Sequence, residues 1–281
     1  MRYLHLTLLC CVLNVFSTNP ALEYLKASLL QTSKSGIATP TNVVEPGAGT
    51  ILQSKDGGQT WQDISEGLPE NEQPAGFFVG VSDLYVSVEN VVYHRKSNLK
   101  TPVWEKENIP DPQITDAFEG FGPDMVESDG VLVAKGQKGI KRSTDNGKNW
   151  QWVISEGGVG IAVENIEGGF ATISYNTTLK SRRIHVSMDG GKTWQPIGDG
   201  LRPSPSISSI KQVGKYLICG HPDGIFRSSD MGKTWNIVHD GVKESDTFKP
   251  WSINTISDNK RVFKIYVSGN TVYAVAGSSG C

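Results

Sequence analysis

The chain has 281 residues, with 27 Lys+Arg set against 29 Asp+Glu. That near-neutral balance excludes a polyelectrolyte grip on nucleic acid, and a 37% hydrophobic content spread along the chain excludes a disordered protein. With 31 glycines, 14 prolines and only 20% charged residues, the composition fits a turn-rich β protein, long enough for one large domain or two small ones.

The N-terminus reads as a targeting segment. Arg2 precedes an apolar run from Leu4 to Phe16. Such a run matches a signal-peptide core and is too short for a bilayer span of about 20 residues. The expected organisation is a signal segment over 1–21, with cleavage after Ser17 or near Ala21, an arm over 22–47 and a single domain over 48–281. No later stretch is apolar for long enough to span. The expected location is therefore secreted or extracellular, or periplasmic in a bacterium. A lipidated Cys10 or Cys11 fits poorly, because bulky Leu9 stands where a small residue is wanted. Cys219 and Cys281 remain, and an oxidising compartment allows them to pair; the alternative is a buried free Cys219 on a strand. Asn176-Thr177-Thr178 is an N-glycosylation acceptor in a eukaryotic setting.

One pattern recurs. Ser54-x-Asp56-x-Gly58-x-x-Trp61 returns as Ser143, Asp145, Gly147 and Trp150, as Ser187, Asp189, Gly191 and Trp194, and as Ser228, Asp230, Gly232 and Trp235. The step from Trp61 to Trp150 is about twice the later steps. A degenerate copy is expected between them, and Val103-Trp104 stands there. With it the period becomes about 40–45 residues, the length of a four-stranded propeller blade. Each copy lies between two short apolar segments, such as Gly224-Ile-Phe-Arg227 and Asn236-Ile-Val238, as a turn joining a hairpin would. The residue types suit a turn. Aspartate accepts backbone N–H bonds within it, glycine takes the positive φ, and tryptophan buries a large face while keeping one N–H for a partner.

These residues resemble the Asp-box, or BNR, repeat found in sialidases, sortilin-type ectodomains and photosystem II assembly factors. The resemblance covers roughly residues 48–277. It implies an all-β fold, a β-propeller of four-stranded antiparallel blades, and a structural rather than catalytic role for the sixteen box residues. It also implies that the boxes lie on the face opposite a sialidase active site. Five outer-strand tryptophans (61, 104, 150, 194 and 235) and five inner strand pairs favour five blades. The last inner pair has no box after it and the first box has no pair before it, so the two chain ends are expected to share one blade. Six blades would require strands from residues 25–50.

Function is then expected on the other face. The long loops 105–121 and 239–261 carry Asp116, Glu119, Phe121, Glu244 and Trp251, and the short turn after Cys219 carries His221. Phe121, Trp251 and His221 are candidate ligand contacts; Asp116, Glu119 and Glu244 are the candidate carboxylates of a glycoside hydrolase. A sialidase would need an arginine trio facing a Tyr–Glu pair. Arg142 and Arg227 belong to the repeat, and Arg182 and Arg183, adjacent on a strand, face opposite ways. Gly157-Gly-Val-Gly160 lacks the Lys-Ser/Thr of a phosphate loop and reads as a turn. The histidines are scattered, so neither a metal nor another cofactor is expected. The expected activity is non-catalytic binding of a glycan or an extracellular protein, with no nucleic-acid partner and no membrane span. The alternative is a secreted glycosidase, sialidase-like or other.

Overall fold

The structure is a computed structural model that describes residues 51–69, 74–80, 83–88, 91–96, 102–107, 124–241 and 261–278. These form five four-stranded antiparallel sheets, the blades of a β-propeller, with no helix among the described residues. The second sheet holds β3 (Pro74–Val79), β4 (Asp83–Val88), β5 (Val91–Lys96) and β6 (Glu105–Lys106). The third holds β7 (Met125–Ser128), β8 (Val131–Gly136), β9 (Gly139–Ser143) and β10 (Gln151–Ile154). The fourth holds β11 (Gly157–Ile166), β12 (Gly169–Asn176), β13 (Ser181–Ser187) and β14 (Gln195–Pro196). The fifth holds β15 (Ser209–Val213), β16 (Tyr216–His221), β17 (Gly224–Ser228) and β18 (Asn236–Asp240).

The first sheet is made by both ends of the described chain. β19 (Arg261–Ser268) and β20 (Thr271–Ser278) supply its first half, β1 (Ile51–Ser54) and β2 (Gln62–Asp63) its second. The seam is an ordinary antiparallel ladder, with Ile51 opposite Val275 and Ser54 opposite Val272. It removes the edges that an open array would expose. The expected signal segment, the arm and the strands a sixth blade would need fall in residues 1–50, outside the described set.

The core lies between sheets. Ile184, Ile197, Ile207, Leu217 and Cys219 close the fourth against the fifth. Ile218, Ile225, Phe263 and Ile265 close the fifth against the first, and Phe77, Val86, Trp104 and Tyr273 the first against the second. Ile140, Ile154, Val163 and Phe170 join the third to the fourth. Among the described residues no comparable cluster joins the second to the third. An inner strand with a sheet on either side is buried on both faces, as β12 is over Gly169–Ser174.

The run Gly157–Gly160 is a correction to the expectation of a turn. It is the bulged start of β11, with register shifts after Gly157 and after Gly160. Glycine is required by proximity. A Cβ on Gly158 would lie 2.5 Å from the Tyr175 carbonyl oxygen, and one on Gly160 2.6 Å from that of Gly139.

Candidate functional site

Strands in each blade alternate in direction. The first-to-second and third-to-fourth turns therefore share one face, and the second-to-third turns and the links between sheets share the other.

On the first face stand the four repeated turns, and they are nearly the same object. In each, the serine hydroxyl donates to the aspartate Oδ1 at 2.8 Å. The same serine oxygen accepts the glycine N–H at 2.8–3.0 Å. These serines are at most 2% exposed. The residue before the glycine has positive φ every time, whether it is Gly57, Asn146, Gly190 or Met231. One participant is hidden in the sequence pattern: the residue before the tryptophan. Thr60, Asn149, Thr193 and Thr234 each donate a backbone N–H to the aspartate Oδ1 and a side-chain proton to Oδ2. Bonds of this kind favour the charged carboxylate. The Thr234 hydroxyl leads in holding Asp230 down at about 2, and the Thr193 N–H leads in pulling Asp189 well below the usual carboxylate range. Asp56 also falls to about 2, the bonds from Thr60 and Ser54 outweighing the opposing effect of burial.

The same face stitches the sheets together. Arg142 Nε donates to the Gly190 carbonyl of the next turn at 2.6 Å, and Arg227 Nε to that of Gly57 at 2.8 Å. Trp104 Nε1 donates to the Ile64 carbonyl and Trp235 Nε1 to that of Ile197, each reaching the preceding sheet.

Among the described residues, the joints of the opposite face do not repeat one another. Between the fourth sheet and the link that leads to the fifth lies a groove of about 300 Å³, lined by Leu179, Arg182, Arg183, Asp199, Arg202 and Ile207 among others. The β12–β13 turn and the link from β14 to β15 form its walls. The link crosses β13, where Arg182 N donates to the Ser204 carbonyl at 2.8 Å. The Arg182 side chain, 7% exposed, donates from Nη1 to the Ile207 carbonyl at 2.9 Å. Arg183 goes to the other side of the strand, where Glu156 Oε1 is 3.5 Å from its Nη1 and 3.6 Å from His185 Nε2. Ser174 Oγ donates to the second Glu156 oxygen. Arg202, on the rim, makes a two-pronged pair with the Asp223 carboxylate, its Nε donating to Oδ2 at 2.8 Å.

His221, expected to contact ligand, is instead wholly buried beneath that rim. The Asp223 N–H donates to its Nδ1 at 3.0 Å, so Nδ1 carries a lone pair. The proton is on Nε2, which donates to the Arg202 carbonyl at 2.8 Å. Phe226 meets the ring edge-on. Burial, above all, lowers the His221 pKa. The apolar run through Cys219 draws this ring inward.

The other expected site residues are placed as follows. Asn176 opens the β12–β13 turn, and its Oδ1 accepts the Leu179 N–H at 2.8 Å. Cys219 is a free, wholly buried thiol whose pKa burial pushes far up. Asp116, Glu119, Phe121, Glu244, Trp251 and Cys281 lie outside the described residues. One aromatic escapes a reading that assigns every box-flanking tryptophan to the repeat. Trp152 is 43% exposed, and its ring lies where a Cβ on Gly136 would fall, 2.6 Å away.

A smaller cavity of about 80 Å³ sits where β11, β15 and β19 meet, lined by Glu164, Lys211, Lys264 and Tyr266 among others. Lys211 Nζ donates to Glu164 Oε2 at 2.5 Å. Burial first, then the nearby Arg182 charge, brings Lys264 down to about 8.

No family profile matches the chain, and neither does any curated protein. Solved structures are similar at low identity. The GH74 xyloglucanase from Xanthomonas campestris is 15% identical over 78% of this chain and 40% of its own, with a TM-score of 0.32. YCF48 bound to a D1 peptide is 17% identical over 83% of this chain and 74% of its own, with a TM-score of 0.29. The extracellular domain of BT4673, a putative hybrid two-component system from B. thetaiotaomicron, is 9% identical over 83% of this chain and 39% of its own, with a TM-score of 0.30. The chain thus spans about two fifths of the xyloglucanase.

Proposed function

We propose that the protein is a secreted, non-catalytic propeller of the Asp-box type that binds a glycan or an extracellular protein through the face opposite the repeated turns. The observation that carries this reading is the groove between the fourth sheet and the link that leads to the fifth. It is concave, and Arg182, Arg202 and the exposed Leu179 line it. It is built from the β12–β13 turn and the link from β14 to β15. Binding sites are concave surfaces with a few placed polar groups, and arginine suits anionic or hydroxyl-rich partners. The turns of the opposite face spend their aspartates on their own backbone, which supports a structural role for the sixteen residues of the pattern. Among the described residues of the groove face, the carboxylates of Glu156 and Asp223 are each engaged with cations of their own joint. They offer no acid–base pair across a shared pocket.

The test is a glycan-array and secreted-protein binding screen of residues 22–281, followed by Arg202→Ala and Arg182→Ala in any hit. Loss of binding with an unchanged melting profile supports the groove. Hydrolysis of a sialoside or other glycoside, abolished by Asp116→Asn, Glu119→Gln or Glu244→Gln, would replace this reading with that of a glycosidase.

A further inference from the structure

The groove rim contains one carboxylate that two cations can claim. Asp223 is held by the Arg202 guanidinium, yet its Oδ2 is also 3.5 Å from His221 Nδ1. The backbone of both partners is pinned by the same imidazole, through the Arg202 carbonyl on Nε2 and the Asp223 N–H on Nδ1. This arrangement suits only the neutral ring. A proton added at Nδ1 would face the Asp223 N–H, donor against donor, while the carboxylate of the same residue stands within reach.

We propose that His221 is a proton-operated switch in which protonation of Nδ1 exchanges the Asp223 N–H for the Asp223 carboxylate, draws that carboxylate from Arg202, and turns the guanidinium toward an anionic partner in the groove. The inference rests on the groove being the binding surface and adds its regulation and the charge of its ligand. The balance is simple. One proton arrives from solvent, by way of the partly exposed Asp223 carboxylate. The Asp223 N–H···Nδ1 bond and the Arg202–Asp223 pair are lost, and an Nδ1–H···Oδ2 bond forms. Nε2–H keeps its bond to the Arg202 carbonyl, so the link stays in place while the side chain moves. Among the described residues the charged groups acting on the ring are Asp223, from its own turn, and Arg202, from the link packed over it; Phe226, on β17, is neutral. Burial holds the ring neutral at pH 7, and Asp223 favours the proton in mild acid. The ligand class is an anionic glycan, whose sulfate or carboxylate meets the Arg202 fork.

The experiment has two arms. In the first, the unliganded protein is titrated by NMR from about pH 8 to 5, following the His221 ring nitrogens and the Arg202 Nε–H. The expected result is an Nε2–H tautomer at the start, and an Arg202 signal that moves with the same midpoint as His221. That midpoint should lie below about 6.5, the ordinary histidine value. In His221→Gln the Arg202 signal should be pH-independent. Asp223→Asn, which keeps the backbone N–H but removes the contested charge, should give the same flat profile if the first variant fails to fold. An Arg202 signal that stays still while His221 titrates overturns the switch. In the second arm, a heparin hexasaccharide, whose sulfates keep their charge across this range, is titrated in by calorimetry. Binding should tighten by at least about fivefold between pH 7.5 and 5.5 in the wild type and by no such factor in Asp223→Asn. A hexasaccharide that binds at neither pH, while the first arm titrates as expected, overturns the anionic-groove reading and leaves the switch standing.

Discussion

The two faces of the propeller solve the same problem by opposite means. Each must join strands and hold neighbouring sheets together. On the turn face one solution is used four times, with the same serine, aspartate and threonine or asparagine bonds agreeing within a few tenths of an ångström. On the groove face the described joints differ. Glu156 gathers Arg183 and His185 at one, and His221 pins Arg202 and Asp223 at another. A repeated surface suits a structural duty, and a surface whose described joints differ can be shaped for a partner. The difference also appears in titration. The turn-face aspartates are held below their usual range by bonds to the charged form, whereas the groove-face histidines are held neutral by burial.

That contrast can be broken in order of expected effect. Gly232→Ala should be the most damaging. It forces a side chain into the left-handed region, at φ 85, and sets a Cβ 2.5 Å from Ile197 Cδ1. The cost should exceed about 2 kcal/mol in denaturant unfolding. Ser187→Ala comes next, at about 1–3 kcal/mol, because the buried Gly191 N–H loses its acceptor. Neither change should alter partner binding in protein that remains folded; a binding loss from Ser187→Ala with unchanged unfolding would contradict the division of labour. Trp235→Phe, which removes the bond to the Ile197 carbonyl and part of the ring packed on that cluster, should cost about 1–2 kcal/mol. Arg202→Ala should be smallest in stability, within about 0.5 kcal/mol, since its pair is exposed on the rim. It is also the change expected to lose the partner, so the two scales should rank these variants in opposite order.

Acid should separate the faces without any mutation. His185 and His221 have folded values below the unfolded one, chiefly through burial. As pH falls through about 6.5, the unfolded chain takes up protons that the folded chain refuses, so stability drops in that window. The depressed values of Asp56 and Asp230, about 2, give stability that is present above the ordinary carboxylate range and is lost only as pH falls below it toward about 2. Thermal unfolding across pH should therefore fall in two stages. His221→Gln and His185→Gln should flatten the first and leave the second intact. A single stage near pH 4 would show that the histidines carry no folding linkage.

The turn face was legible because its information is local. Serine, aspartate and glycine lie within five positions of one another, and the period counts the blades. Even there the residue before the tryptophan looks variable, since threonine and asparagine share only an ability to donate from a short side chain. The groove was not legible, because Arg182, Arg202, Ile207 and Asp223 meet only once the link has crossed β13 and the fifth sheet has docked. His221 illustrates the difficulty. Its neighbours Pro222 and Asp223 mark a turn, but β16 is buried on both faces from Leu217 through to His221. Trp152 is the reverse case, a residue two places from the half-buried Trp150 yet exposed on the outer strand of the sheet.

The seam in the first sheet has a temporal consequence. Gln53 Nε2 reaches Tyr273 Oη across 220 residues, and the ladder from Ile51 to Ser54 has its partner only in Thr271–Ser278. During synthesis, β1 and β2 are therefore made early and wait, half-paired, until almost the whole chain has followed. Contacts of such span slow folding, because the loop between them must be ordered first. The ring is thus a device that reports its own completion: a chain interrupted anywhere before residue 271 keeps an unpaired edge, and only a finished one conceals it.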